Sequence, residues 1–169
     1  FLGIAAGLFG SIPAFLVIGF LSRRRHEMWP VRWAVFALSL TLATACAAFV
    51  NSHNPYATLV VGFNEEFWKV TPLLLLVFFL PSAVSGTRDG LVYGALGGLG
   101  FNVVELAVYF IRLSYPQSGI LEGLIAQFGR LGLWGINNHV IWAALVGAGI
   151  GYAVQHPDRR RRWLVAFGA

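Results

Sequence analysis

The apolar run from Thr58 to Leu80 is interrupted by three charged residues, Glu65, Glu66 and Lys69. As an α-helix, this run is long enough to cross a lipid bilayer, because each residue adds about 1.5 Å. A charged side chain at the centre of a membrane helix costs about 2.5 to 3.5 kcal/mol on insertion scales, so such residues are usually paired and functional. The run therefore predicts a polar site inside a membrane, which we interpret as the active site of a membrane enzyme.

The composition supports a membrane location for the whole chain. Of the 169 residues, 57% are hydrophobic and 11% are charged, whereas a soluble domain has about 25% charged residues. We predict an all-α, polytopic bundle of transmembrane helices, with one domain over residues 1–169 and a motif-bearing core over 58–154. The chain begins and ends in apolar sequence, so we expect it to be part of a longer protein. The single Cys46 provides no disulfide framework.

The arginines indicate how the chain crosses the membrane. Five spanning helices are expected, over residues 2–21, 31–50, 58–80, 90–111 and 138–154. Residues 118–136 are ambiguous because glycines, Glu122 and Arg130 interrupt their apolar sequence. If this segment does not cross, nine arginines, including the clusters Arg23–Arg25 and Arg159–Arg162, lie on one side and only Arg112 and Arg130 on the other. The positive-inside rule therefore favours an interfacial or re-entrant helix here, an outside amino terminus, and no nucleic-acid role for the clusters.

This topology predicts that four ionisable residues share one layer of the membrane. Glu65 and Glu66 lie about 10 Å along a helix that enters from outside. Glu105 lies six residues before the end of a helix that runs outward, and His139 begins a helix that enters from outside. We expect these four side chains to line one polar cavity in the outer half of the membrane. Small residues spaced by four, such as Gly94 with Gly98 and Gly147 with Gly151, predict tight helix packing around it.

The residue types in this layer limit the chemistry. The sequence has no Gly-x-Ser-x-Gly, no His-Glu-x-x-His and no cysteine near a histidine. A glutamate in a low-dielectric site can act as a general base near neutral pH, and Lys69 can reach Glu65 or Glu66 along one helix face. We assign one of these glutamates as the base and the other to positioning. Glu105 and His139 could orient the water, donate to the oxyanion or bind a metal such as zinc.

Each candidate also has a simpler interpretation. Glu65, Glu66 and Lys69 could form an ion pair that only holds helices together. Asn102 is expected to donate a hydrogen bond between helices, and Arg130 to extend toward the interface or pair with a glutamate. An ion- or proton-coupled transporter is the alternative function, with the carboxylates as its cation site. The sequence shows no internal repeat and its acidic layer lies off the midplane, which favours an enzyme. An inactive scaffold that binds single-span partners is a third possibility.

Three motifs occur in a familiar order along the chain. Glu65-Glu66-x-x-Lys69 is followed by a glycine-rich stretch from Asp89 that leads to Glu105, and then by His139 with Gly147 downstream. This ordered set, over roughly residues 63–151, resembles the PrsW family of intramembrane proteases. That family is similar to the wider group of CAAX prenyl proteases and bacteriocin-processing enzymes.

The resemblance implies membrane-embedded proteolysis with Glu65, Glu66, Glu105 and His139 as the functional set. It implies substrates that are single-span membrane proteins or membrane-anchored peptides, such as anti-sigma factors, and a place in the bacterial cytoplasmic membrane. Whether zinc or a glutamate-activated water is used stays open. Members of the family often have Glu-Asn in the second motif, whereas here Leu106 follows Glu105 and Asn102 lies on the same helix face.

Overall fold

The computed structural model describes residues 2–22, 29–130 and 136–156, and these residues form helices without a β-strand. The α-helices are α1 (Leu2–Gly10), α2 (Ile12–Ser22), α3 (Trp29–Leu38), α4 (Thr44–His53), α5 (Ala57–Phe79), α6 (Thr87–Tyr109), α7 (Tyr115–Arg130) and α8 (Asn138–Gln155). Two π-helical segments, Ser39–Ala43 and Phe110–Ser114, connect α3 to α4 and α6 to α7, and a 3₁₀ turn at Pro81–Ala83 precedes α6. The prediction of an all-α membrane bundle is confirmed.

Three segments of the described chain have the length and composition of a membrane span, and they are Leu2–Phe20, Trp29–His53 and Thr87–Arg112. Helix α5 has 23 residues but contains the three charged residues of the first motif, and α8 has 18 residues. That α5 and α8 also cross the membrane, which would give five spans, therefore stays a prediction. The arginine clusters Arg23–Arg25 and Arg159–Arg162, on which the orientation depends, lie outside the described residues.

Helix α6 is the centre of the bundle, and most of its residues are buried. It contacts α1, α2, α3, α5 and α8, and its most extensive contact is with α8. A Cβ atom on Gly94 would overlap the carbonyl oxygen of Ala143, and one on Gly147 would overlap that of Gly90. The backbones of α6 and α8 therefore touch directly, as expected where helices associate in lipid through small residues and dispersion forces.

Helix α7 contains residues 118–130 of the ambiguous segment and lies against α1, whereas residues 131–135 are outside the part of the chain that the structure describes. It has 16 residues, so its length is about 24 Å, which is less than the thickness of the hydrocarbon core. Gly119 has a φ of 82° and bends the helix near its start, which leaves an even shorter straight part. Gln127 is buried and its Nε2 donates to the carbonyl of Gly3 at 2.9 Å, whereas Leu121 and Ile125 are exposed. This arrangement fits an interfacial helix. It stays a prediction that the segment does not cross the membrane.

Candidate active site

The ammonium of Lys69 lies at the centre of the charged residues. Lys69 is almost fully buried, and its Nζ donates to Glu66 Oε1 at 2.7 Å and lies 3.9 Å from Glu65 Oε2. These three residues share one face of α5, because side chains three and four positions apart in a helix are neighbours. The Nζ also lies 2.5 Å from His139 Nδ1 on α8 and 4.7 Å from the centre of the Phe101 ring on α6. One buried cation therefore joins three helices.

The same ammonium determines the orientation of His139. A lysine ammonium has donors and no acceptor, so Nδ1 of His139 must accept its hydrogen bond. In the neutral ring the hydrogen is then on Nε2, which lies 2.8 Å from Glu105 Oε2. This is an ion-pair distance, but the ring N–H is not aligned for a hydrogen bond with that oxygen. Lys69, His139 and Glu105 therefore form a continuous polar chain from α5 through α8 to α6.

Two consecutive glycines of α6 explain why these side chains meet. A Cβ atom on Gly97 would overlap the carbonyl oxygen of Lys69, and a Cβ atom on Gly98 would lie 2.5 Å from the carbonyl oxygen of His139. The α5 backbone at Lys69 and the α8 backbone at His139 therefore rest on adjacent residues of the same helix. No larger residue at 97 or 98 permits this approach without a shift of α5 or α8.

Helix α4 contributes a residue that the sequence did not identify. Asn51 Nδ2 donates to Glu65 Oε1 at 3.3 Å, and Asn51 Oδ1 accepts from Asn64 Nδ2 at 2.8 Å. Trp68 Nε1 in turn donates to Asn64 Oδ1 at 2.9 Å. The expected span ended at residue 50, but α4 continues to His53, so Asn51 lies on the helix.

The supporting residues Asn102 and Arg130 lie on the other side of Glu105. Asn102 is fully buried and its Oδ1 accepts from Asn137 Nδ2 at 2.6 Å, so it joins α6 to the start of α8 as an acceptor and not as the expected donor. The guanidinium carbon of Arg130 lies 3.8 Å from the centre of the Tyr109 ring. Among the described residues Arg130 has no ion pair with a glutamate, which was one of its two expected roles, and makes this cation–π contact instead.

Two carboxylate oxygens in the cluster remain able to accept further hydrogen bonds. Glu66 Oε2 and Glu105 Oε2 are buried and have no hydrogen-bond partner among the described residues. The side chains of Glu65 and Glu66 are nevertheless 23% and 33% exposed, so a small molecule can approach this side of the cluster. The structure thus brings Glu65, Glu66, Glu105 and His139 into one site, with acceptors that can bind and orient a water.

A helical membrane bundle with a buried cluster of glutamates and a histidine has the residues that an intramembrane hydrolase requires. The chain matches the PrsW family intramembrane metalloproteases over residues 4–169 and belongs to that family. The comparisons with curated proteins and with solved structures found no match. The resemblance seen in the three motifs and the interpretation as a peptidase are therefore confirmed, and the family does not favour a transporter.

The family description names a metalloprotease. Glu105 Oε2 and His139 Nε2 are 2.8 Å apart and are the two atoms that could bind one metal ion together, but no place for a metal ion remains between Glu66 and His139 Nδ1. Glu66 Oε1 and His139 Nδ1 are 3.8 Å apart, and the Lys69 ammonium bonds to both of them and so occupies the position between them. Glu105 faces the other ring nitrogen of His139, so it cannot share a metal with Glu66 through Nδ1. Among the described residues, no three histidine, cysteine or acidic side chains form a metal-binding group. We therefore derive no step through a metal.

Proposed function

We propose that the chain hydrolyses peptide bonds of single-span membrane proteins or membrane-anchored peptides, anti-sigma-factor-like proteins among them, through a water that Glu65 activates. The observation that carries this proposal is the convergence of Glu65, Glu66, Glu105 and His139 from three helices around Lys69. Family membership supports the reaction class. The roles of the individual residues follow from their hydrogen bonds, as described next.

Glu65 fits the role of the general base better than Glu66 does. Asn51 holds one oxygen of Glu65, and the other lies 3.9 Å from Lys69 Nζ, beyond hydrogen-bond range, so it can accept a proton from water. Glu66 instead bonds directly to Lys69 at 2.7 Å. Glu66 is therefore a positioning residue that holds the ammonium, which in turn holds His139.

His139 and Glu105 complete the reaction. Glu65 takes a proton from the water, the water oxygen attacks the carbonyl carbon, and negative charge develops on the carbonyl oxygen. The Nε2–H of His139 is placed to donate to that oxygen, because its hydrogen bond with Glu105 is poorly aligned. The carbonyl then re-forms as the C–N bond breaks, and the proton on Glu65 passes to the leaving amine. Each bond that breaks has an acceptor or donor within the cluster.

The test is the single variants Glu65→Gln and Glu66→Gln, with Glu122→Gln on exposed α7 as the matched control. Glutamine keeps the shape and an acceptor oxygen for Asn51 or Lys69, but it does not accept a proton near neutral pH. We expect folded proteins with no cleavage of a co-expressed single-span substrate. The thermal stability of Glu65→Gln should be close to that of the wild type, whereas Glu66→Gln should have a lower Tm, because the buried Lys69 loses the charge of its 2.7 Å partner. Retained cleavage in both variants would remove this pair from the mechanism.

A further inference from the structure

A cavity of about 300 Å³ lies beside the Glu105–His139 pair, and Lys69, Glu65 and Glu66 do not line it. Its polar walls are Asn102, Arg130 and the first turn of α8, and its apolar walls are Leu106 and Ile136. We propose that this cavity binds a carboxylate group of the peptide substrate and thereby fixes where the peptide lies relative to Glu105 and His139. The inference rests on the proposed function, because it assigns a specificity subsite to the same peptidase.

The buried side-chain amide of Asn102 is a donor without a hydrogen-bond acceptor among the described residues. The Oδ1 of Asn137 accepts from the Val140 amide as the N-cap of α8, so the Nδ2 of Asn137 faces Asn102. The Oδ1 of Asn102 must accept this bond, which turns its Nδ2 away from Asn137. That Nδ2 is buried without a hydrogen bond among the described residues, although Asn102 is 0% exposed and lines the cavity. A buried amide donor without a partner is costly, and an anionic oxygen in the cavity would satisfy it.

Arg130 supplies a positive charge that faces the same cavity. Its guanidinium stacks on Tyr109, and a stacked guanidinium keeps the N–H groups along its edges free for a carboxylate. Glu105, the acidic residue of the cavity wall, lies 2.8 Å from His139 Nε2 and has no ion pair with Arg130 among the described residues. The charge of Arg130 can therefore pair with a carboxylate of the ligand.

The first turn of α8 adds to the attraction for an anion. Asn138 and His139 line the cavity and begin a helix of 18 residues. The first N–H groups of a helix have no intrahelical partner, and the helix dipole places partial positive charge there. Together with the Asn102 amide and the Arg130 guanidinium, this end of α8 gives three kinds of donor in one space. Such a combination suits a planar carboxylate, which accepts several hydrogen bonds at once.

The size of the cavity restricts the ligand to a small part of a peptide. A volume of about 300 Å³ is at the lower end of ligand pockets, so the cavity suits one side chain or a chain end and excludes a transmembrane helix. The carboxylate can come from an aspartate or glutamate side chain near the scissile bond, or from a free carboxyl terminus. Both sources present the same group to Arg130, and the experiment distinguishes them.

The test measures binding without turnover. Purified protein in detergent micelles is titrated with three probes, and binding is followed by ligand-observed NMR. The probes are N-acetyl-leucyl-alanine, its carboxamide, and N-acetyl-leucyl-aspartic acid amidated at its carboxyl terminus. We expect at least one carboxylate probe to bind about tenfold or more tightly than the carboxamide, as a charge-assisted pair provides. The first probe reports a chain-end site, and the third reports a side-chain site.

Two arginine variants decide whether the cavity is responsible. Arg130→Gln should remove the preference for the carboxylate, whereas Arg112→Gln, at an exposed arginine outside the cavity, should retain it. Equal binding of the carboxylates and the carboxamide by the wild type would overturn the proposal, as would an equal loss in both variants. Cleavage is measured separately. If the protein cleaves its substrate but binds the carboxylate and carboxamide probes equally, only the proposed subsite is refuted. If it prefers the carboxylate probes but never cleaves a substrate, only the proposed function is refuted.

Discussion

Replacing Lys69 with methionine tests whether one buried cation holds the site together. The variant keeps a side chain of similar size but leaves Glu66 without its 2.7 Å partner and Glu65 without the nearest positive charge. Removing one partner of a buried ion pair costs about 3 to 5 kcal/mol. The side chains of Glu66 and Glu65 are 33% and 23% exposed, so water offsets part of this loss. We expect the free energy of unfolding to fall by about 3 kcal/mol.

The loss can be measured as a thermal shift. For a chain of this size, each kcal/mol corresponds to about 2 to 4 °C, so Lys69→Met should lower the Tm by about 6 to 12 °C in detergent micelles. The free energy of unfolding from a titration with sodium dodecyl sulfate gives an independent value. Glu122→Gln, on the exposed face of α7, is the control for a charge change outside the cluster.

A double variant separates the lost charge pair from lost packing. In Lys69→Met with Glu66→Gln the glutamine carries no charge, so the burial penalty of the unpaired carboxylate is removed. We expect this double variant to recover about 2 kcal/mol relative to Lys69→Met. Cleavage should be absent from both variants, because neither holds His139 through Nδ1. A Lys69→Met protein that loses less than about 1 kcal/mol, or a double variant without recovery, would show that Lys69 does not stabilise the cluster.

Three further predictions follow from the contacts around the site. Gly97→Ala should destabilise the fold by about 1 to 3 kcal/mol and lower activity, because α5 must shift away from α6. Gly62→Ala has open space around it and should change neither stability nor activity. Equal thermal shifts in the two variants would refute this prediction. Asn51→Ala should lower kcat by about tenfold with little change in KM, because Glu65 loses its orienting bond; an unchanged kcat would exclude that role. Metal analysis should find no stoichiometric zinc in the wild type, because no three side chains among the described residues form a metal-binding group and Lys69 occupies the position between Glu66 and His139. Zinc retained in the wild type but lost from His139→Ala would refute this.

The sequence was sufficient for the fold class and for the family, and the physical reason is the membrane. Charged residues are so costly in lipid that Glu65, Glu66 and Glu105 stand out from an apolar background without any alignment. The helix bounds were also close, because long apolar runs in a membrane form helices. Helix α5, for example, was predicted over residues 58–80 and is observed at Ala57–Phe79.

The hydrogen bonds inside the site could not be predicted in this way. Lys69 pairs with Glu66 of its own helix, as the helix spacing predicts. Its contact with His139 could not be predicted, because that contact depends on how α5 and α8 pack on α6. Asn51 and Asn137 are polar residues near helix ends, and nothing in their spacing distinguishes a site residue from a capping or loop residue. Arg130 was expected to extend toward the interface or to pair with a glutamate, whereas its guanidinium lies on the ring of Tyr109.

In the proposed mechanism, packing and function depend on the same small residues. Lipid gives little hydrophobic driving force between helices, so close backbone contact through glycine has to supply the association. On α6, that contact at Gly97 and Gly98 is also what brings the α5 residue Lys69 and the α8 residue His139 together. A shift of less than 1 Å, on the order of what one added methyl group requires, would lengthen a hydrogen bond that is now 2.5 Å. Catalytic geometry should therefore be lost at changes in packing that the fold as a whole still tolerates.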